Sequence, residues 1–474
     1  MRKTLEGRWT LLSLLAVALT MIVSSLVQAE LAGTVAQGKP CLSPHKKKTV
    51  IGKTLRAIVQ SHSQWLEERY NRDYHRADLC QADLHQAALN GANLERANLE
   101  GANLRQATLY QSSLTYARLA GADLTKAGLE DSNLSGADMR QARLSNANLF
   151  RVIGDEAALF NGVLIGAQLH ESTFERTHFE GADLTSADFT NASVVDSYFY
   201  GANLHRATLT EADFMGADLR QANLTKANLT KTNLQGALLD GAQLHGARLV
   251  EADLEGAYFD EADLTEASLR GALLRGADLR FTNLQSTGFQ QADLDGVNFE
   301  GARLVKTNAQ SANMTMAILY HAMLDEADFR DARMHNAVMI GAQGTDAIFV
   351  KADLSDIYAP KVSLQRASFH QAKLELANLV AADLRQSTFS HANLAHANLQ
   401  EANLQEASFS GADLTGARLD AADLRHANLQ GTNLSGALGL TQAQLDAACV
   451  DDQTKLPENL KRPAPCASSK KMRR

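Results

Sequence analysis

The sequence predicts an all-β fold, a β-solenoid whose chain turns a corner every five residues. Between Ala77 and Leu434 a central position recurs every fifth residue, and Leu occupies 50 of the 72 central positions, Phe 13 and Met 4. The residue two positions earlier is Ala in 56 of the 72 units. A period of five fits neither an amphipathic helix nor an alternating strand. The chain must therefore bend once in every unit.

Turn residues stand where these bends are required. Gly occupies the second residue after the central one in 21 units, and a type II turn needs a positive φ at that place. Pro360 stands one residue earlier in its unit, where the same turn favours proline. The sequence therefore encodes the corners as well as the interior.

The tandem pattern A-[DN]-L-x-x resembles the pentapeptide-repeat family over about three quarters of the chain. The resemblance implies a right-handed quadrilateral β-solenoid in which four units form one coil of 20 residues. It also implies that the central residue and the Ala before it point inward, while the other three residues face solvent. The 72 units then make about 18 coils, and at about 4.8 Å per coil the rod is roughly 85 Å long.

The phenylalanines support a coil of 20 residues. If residues 20 apart stack, bulky central side chains should form columns, because a ring needs matching space above and below it. All of the 13 central Phe except Phe174 and Phe214 fall into two columns ten residues apart. The longest uninterrupted run, a predicted core ladder, consists of Phe329, Phe349, Phe369, Phe389 and Phe409.

Residues 1–29 have the three parts of a secretory signal peptide. A basic start precedes an apolar run from Thr10 to Val27, and Val27-Gln28-Ala29 offers a small-residue cleavage site. We expect Glu30 to be the mature terminus and the chain to be exported to the periplasm or an equivalent lumen. The alternative is an uncleaved membrane anchor, because 18 mostly apolar residues nearly span a bilayer. Membrane contact is expected only in that case.

Three further regions follow the signal segment. Residues 30–76 are a predicted N-terminal cap with an amphipathic helix between residues 50 and 70. The repeats fill residues 77–437. Residues 438–474 contain a predicted capping helix and a basic tail, because Thr441 to Gln444 form a capping box. Both ends need caps, since an open coil exposes apolar columns and unpaired backbone.

The chain has four cysteines, an even number for a protein bound for an oxidising compartment, so disulfides are favoured. Three pairings are open, and the sequence does not choose among them. We favour Cys41 with Cys80 and Cys449 with Cys466, because each pair lies at one end of the rod. A zinc site is the alternative, although no C-x-x-C spacing or neighbouring His supports it.

The repeat has four defects, at which the central residue is not a large apolar one. They are Gly154, Ala309, Gly344 and Ala359. Each is either a tolerated packing fault or bulge, or a kink used for contact. Unusually apolar neighbours near the first and last defects are candidate partner patches, since exposed apolar clusters often bind partners. They are Phe150, Val152, Ile153, Phe160, Ile357 and Tyr358.

Charge and motifs restrict the function. Residues 77–437 carry 27 basic and 45 acidic side chains, a net charge of −18. Nucleic acid is therefore not an expected partner, because phosphate contacts need a basic face. No catalytic constellation, cofactor motif or metal-ligand motif is distinguishable, so we expect neither an enzyme nor a cofactor.

These features favour a rod that binds an unknown protein or envelope component without catalysis. The alternative comes from the family resemblance, because some members imitate DNA and bind DNA gyrase. The acidic repeat region favours that alternative. Predicted export and the interleaved basic residues count against it.

Overall fold

A parallel ladder of backbone bridges runs through the repeats in the computed structural model, which describes Cys41 and residues 45–70 and 75–463. Each bridge of the repeats joins residues 20 apart, from Asp78 with Asn98 to Arg418 with Leu438. Each of the four sides of a coil contributes one single-residue bridge rather than a longer strand. The predicted four-sided coil of 20 residues is thus observed.

Two sets of backbone hydrogen bonds build each coil. Along the rod, the Leu79 N–H donates to the Asn98 carbonyl at 2.7 Å, and the Asn98 N–H donates to the Ala77 carbonyl at 2.9 Å. Around the corner, the Ala82 N–H donates to the Leu79 carbonyl at 3.0 Å. Gln81, the third residue of this turn, has a φ of 53°, as a type II turn requires.

Every corner from Gln81 to Gly436 has a positive φ at this third position, although most of these residues are not glycine. A left-handed conformation costs a residue other than glycine about 1–2 kcal/mol. The ladder offsets this cost, because the same corner residue donates its N–H to the next coil, as Gln86 does to the Arg105 carbonyl at 2.9 Å. Glycine therefore relieves strain at a corner but does not determine where the corner lies.

The interior is filled by the central residues and the Ala two positions before them, which are buried along the repeats except for the partly buried Ala92. The predicted core ladder is confirmed. Successive rings from Phe329 to Phe409 have centroids 5.1, 5.0, 4.6 and 4.8 Å apart and lie within 10° of parallel. Stacked aromatic pairs at this separation add to the stability that burial provides.

The defects do not interrupt the ladder, so they are tolerated packing faults, and the alternatives of a bulge or a kink are wrong. A Cβ at Gly154 would lie 2.1 Å from a ring carbon of Phe174, which means that this ring fills the space above the glycine. Bridges run on from Asn133 to Ile153 and Thr173. Phe174, which lies outside both Phe columns, thus compensates for the missing side chain one coil earlier.

Helix α1, Gly52–Glu67, covers the first coil. Thr49 extends the ladder by bridging Asp83, and Leu55 and His62 are the buried residues of the helix. The Ala77 N–H donates to Nδ1 of His62 at 3.1 Å, so Nε2 carries the proton and donates to the Glu95 carbonyl at 2.9 Å. His62 therefore satisfies two backbone groups that an earlier coil would otherwise bond.

A disulfide joins Cys41 to Cys80, whose Cα atoms are 6.0 Å apart, and confirms the favoured pairing at this end. Cys449 is also disulfide-bonded. Its favoured partner, Cys466, lies outside the described residues, as do the signal segment and the basic tail.

Helix α2, Gln442–Asp446, begins at the predicted capping box. The Gln444 N–H donates to Oγ1 of Thr441 at 3.3 Å, and the Thr441 N–H donates to Oε1 of Gln444 at 2.8 Å. Nε2 of Gln444 also donates to the Leu419 and Ala422 carbonyls at 2.9 and 2.8 Å. Beyond the helix, Cys449 and Lys455 add two more bridges to the last coil. The C-terminal cap thus continues the ladder.

The packing of Phe174 over Gly154 predicts a compensating pair of substitutions. Gly154→Leu should clash with the ring and destabilise the chain by about 1–3 kcal/mol, while Phe174→Leu should leave a small cavity. The double variant places two Leu side chains in contact in successive coils, as in most columns. It should therefore recover most of the stability that the single variants lose. Thermal unfolding of the four proteins measures the coupling. A double variant no more stable than its worse parent would contradict this packing.

The His62 contacts predict a pH-sensitive N-terminal cap. Burial lowers the pKa of His62, with Arg76 acting in the same direction and the Glu95 carbonyl and charge opposing. The pKa of His62 is lower in the folded state than in the unfolded state. The neutral ring therefore contributes its full stabilisation of the cap above about pH 6.5. That stability is lost as the pH falls below this value toward the folded pKa. His62→Gln keeps a donor and an acceptor without titrating. Hydrogen exchange of residues 77–100 should rise between pH 7.5 and 5 more in the wild type than in this variant, and equal increases would contradict the role of His62.

Candidate protein-binding surface

Each side of the solenoid presents two outward columns, formed by the residues just before and just after the central one. These columns interdigitate between coils. Nε2 of Gln235 donates to Asp253 at 2.6 Å and Nη1 of Arg105 donates to Asp123 at 3.2 Å, in both cases across 18 residues. Outward residues of one side therefore form a continuous surface.

The recurrent Asn or Asp before the central residue has a structural role that the sequence analysis missed. Its side-chain oxygen accepts the backbone N–H of the residue after the centre, as Asn93 does from Glu95 at 3.1 Å and Asp413 from Thr415 at 2.9 Å. The backbone ladder leaves this N–H without a partner. The spacing of two residues is the signal that could have indicated it.

Side 1 is defined by the central residues Leu79, Leu99 and every twentieth residue to Leu419, and sides 2, 3 and 4 follow along the chain. On side 1, seven of the eight outward residues between residues 318 and 380 are apolar or aromatic. These seven residues are called the apolar patch. They are Ile318, Tyr320, Val338, Ile340, Tyr358, Pro360 and Val380, all half-buried or exposed.

The other three sides of the same four coils are mostly polar. Among the eight outward residues of each, side 2 has one apolar residue, Met323, side 3 has two, Ile348 and Val350, and side 4 has one, Ala395. Met316 and Leu376 stand at the corner between sides 4 and 1 and are 55% and 59% exposed. They widen the apolar patch at that edge. The apolar surface is thus confined to one side of four coils.

Charged residues at the edges of the apolar patch are mostly acidic. Asp356 lies at the same corner as Met316 and is 3.7 Å from Nδ1 of His335. Glu375 is beside Leu376, where Ser355 donates to its Oε2 at 3.3 Å. Lys361 occupies the opposite corner. One edge of the apolar patch is therefore acidic.

Elsewhere on the surface, acidic residues are paired with arginine in a recurring Asp-x-Arg arrangement. Nη2 of Arg220 is 2.7 Å from Asp218, and Nη2 of Arg425 is 2.6 Å from Asp423. The hydrogen bonds from Arg425 lower the pKa of Asp423 to about 2. The same pairing occurs at Arg140, Arg280, Arg330 and Arg385. Each of these six aspartates is therefore neutralised by an arginine two residues away.

The two predicted partner patches differ in where the structure places their residues. At the second, Tyr358 is 47% exposed and lies in the apolar patch, while Ile357 occupies the inward Ala position and is buried. The prediction that Ile357 faces a partner is therefore wrong. The other residues of the apolar patch were not predicted from the sequence. The 20-residue spacing of Ile318, Val338 and Tyr358 could have indicated them.

The first predicted patch does not form one surface. Val152 is buried at an inward position, so its predicted exposure is wrong. Phe150 lies on side 3, where its ring is 4.7 Å from His170. Ile153, which is 45% exposed, lies on side 4, and Phe160 lies on side 1 against His178 at 4.8 Å. Residues adjacent in sequence are separated here by the corners of the coil.

The described residues contain neither a metal-binding cluster nor a helix that could cross a membrane. Within Cys41, 45–70 and 75–463 no group of three or more His, Cys, Asp or Glu residues could hold a metal ion. In the same part of the chain, no helix has the length and apolar character needed to cross a membrane.

Comparison with solved structures finds several pentapeptide-repeat proteins. HetL, which is involved in heterocyst differentiation regulation in the cyanobacterium Nostoc sp. strain PCC 7120, is 33% identical, with 46% of this chain and 88% of that chain covered and a TM-score of 0.23. A pentapeptide repeat protein of the Arabidopsis thaliana thylakoid lumen is 27% identical, with 25% and 71% covered and a TM-score of 0.13.

QnrB1, a plasmid-mediated fluoroquinolone resistance protein, is 17% identical, with 45% of this chain and 94% of that chain covered and a TM-score of 0.24. At this identity the likeness concerns the fold alone. No curated protein matches.

Two family profiles match the repeats directly. Pentapeptide repeats (8 copies) matches nine segments between residues 75 and 358, most of which overlap, and Pentapeptide repeat region matches residues 362–438. Together the matches cover well over half of the chain and coincide with the observed ladder. The chain therefore belongs to the pentapeptide-repeat family.

Proposed function

We propose that this chain is an exported, non-enzymatic scaffold that binds a partner protein through the apolar patch on side 1. The observation that carries the proposal is the confinement of seven apolar or aromatic residues among eight outward positions to one side. Outward positions lie outside the core, so the fold does not need apolar residues there. Contiguous exposed apolar surface is typical of interaction sites.

The architecture supports binding along the sides of the rod. Helix α1 and the buried His62 cover one end, and Gln444 and the bridges of Cys449 and Lys455 cover the other. Covered ends leave the sides for contact. We take the solenoid as right-handed, as the family resemblance implies, and of about 18 coils, as the 72 units predict. A ladder of this kind presents a rigid surface, which lowers the entropy cost of binding.

A gyrase-binding DNA mimic is the second candidate, supported by the net charge of −18 over residues 77–437. The Asp-x-Arg pairs weaken it. A duplex-like surface needs unpaired negative charge in a regular stripe, whereas Asp218, Asp278 and Asp423 each hold an arginine on the same side. Binding through the apolar patch requires no such stripe.

Export is supported by the signal segment and by the Cys41–Cys80 disulfide, because disulfides persist in oxidising compartments. We expect N-terminal sequencing of the protein from an envelope or lumenal fraction to begin at Glu30. A protein that retains residues 1–29 in a membrane fraction would instead indicate an anchor. Recovery from the cytoplasm alone would contradict export.

A matched pair of isoleucines tests the role of the apolar patch. Ile318 on side 1 and Ile348 on side 3 occupy the same position of the repeat, and both are half-buried. A photo-reactive residue at position 318 should give discrete cross-linked adducts with another protein in the native compartment, while one at position 348 should give none of these. The same adducts at both positions, or none at position 318, would contradict the proposed function.

A further inference from the structure

The apolar patch is too small to be a dimer interface. It spans four coils, from Ile318 to Val380, and at about 4.8 Å per coil it measures roughly 20 Å along the rod and 10 Å across. A stable interface buries about 800 Å² on each partner, several times this area. The surface therefore suits a single segment of a partner rather than a second copy of this chain.

Side 1 does not extend the apolar patch into a longer interface. Tyr198, Leu238 and Tyr258 are also outward on this side. However, ion pairs interrupt the apolar surface on the way, with Arg220 2.7 Å from Asp218 and Arg280 2.7 Å from Asp278. The continuous apolar surface ends below Ile318.

An added β-strand is excluded as the occupant, because the backbone beneath the apolar patch is already paired. The Ile318 N–H donates to the Val297 carbonyl at 2.9 Å, and the Tyr358 N–H donates to the Ala337 carbonyl at 2.9 Å. The Val338 carbonyl accepts from the Leu319 N–H at 2.7 Å. Strand addition requires a free edge, whereas these coils lie within the ladder. The partner must be recognised by its side chains.

An amphipathic helix is the peptide structure that matches these limits. Three turns of helix are about 16 Å long, close to the length of the apolar patch. Successive turns are about 5.4 Å apart, close to the spacing of the rows formed by Ile318, Val338 and Tyr358. Apolar side chains at i, i+3, i+4 and i+7 can therefore follow the rows while the helix satisfies its own backbone.

The charges at the edges of the apolar patch select the polar flank of such a helix. Asp356 lies at the corner between sides 4 and 1, Glu375 lies beside that corner on side 4, and Lys361 lies at the corner between sides 1 and 2. Basic residues on the flank facing the acidic corner would be favoured, both on encounter and in the complex.

We propose that the apolar patch binds an amphipathic helix of about three turns, with its apolar face on Ile318, Val338 and Tyr358 and its basic flank toward Asp356 and Glu375. This proposal rests on the proposed protein-binding function and identifies the kind of partner segment.

Binding of designed peptides to the purified protein, measured by fluorescence anisotropy, tests the proposal. The probe is a 14-residue helical peptide with Leu on one face and Lys on one flank, compared with a scrambled peptide and with a Glu-flanked helix. We expect the Lys-flanked helix to bind at least tenfold more tightly than either. Ile318→Lys should weaken binding at least tenfold, whereas the matched Ile348→Lys should change it less than twofold.

Charge reversal provides the second arm. Asp356→Lys should weaken binding of the Lys-flanked helix and strengthen binding of the Glu-flanked helix, each severalfold. Equal losses for Ile318→Lys and Ile348→Lys would overturn the proposal, and so would binding of the scrambled peptide or of an extended alternating peptide as tight as that of the helix. Adducts at position 318 that map to a second copy of this chain or to a non-helical segment would overturn the proposed helical partner. They would leave the proposed protein-binding function intact. The absence of any adduct would overturn both.

Discussion

The backbone hydrogen bond between residues 20 apart is the constraint on which the rest of the structure depends. One five-residue unit buries about one Leu, which is too little to offset the conformational entropy lost when its five residues are ordered. The ladder joins each unit to the coils above and below and holds the corner residues in a strained left-handed conformation. Stability is therefore a property of stacked coils.

The ladder also explains the caps and the tolerance of defects. His62 at one end and Gln444 at the other donate side-chain hydrogen bonds to carbonyls of the terminal coils. Within the repeats, the central position at Gly154 tolerates the absence of a side chain because Phe174 fills the space. The bridges on both sides persist. A packing fault is absorbed by a neighbouring coil, and the backbone register does not change.

The same register creates the candidate binding surface. Ile318, Val338 and Tyr358 are far apart in sequence, and the coil places them in consecutive rows on one side. Their outward position means that they contribute little to the core, so their apolar character is available for contact. Elsewhere on the surface the Asp-x-Arg pairs satisfy their own charges. In coils 318–380, the apolar patch therefore stands apart from three mostly polar sides.

The sequence by itself determined the coil, the core ladder from Phe329 to Phe409 and the capping box at Thr441, because each depends on a period or a local spacing. It left three cysteine pairings open, and the structure decided the Cys41–Cys80 pair. The sequence did not determine the binding surface correctly. Phe150, Ile153 and Phe160 are neighbours in sequence but lie on three different sides, and Val152 and Ile357 are buried. Only the tertiary structure decided which outward residues share a side, because a corner every five residues separates neighbours while the 20-residue ladder brings distant residues together.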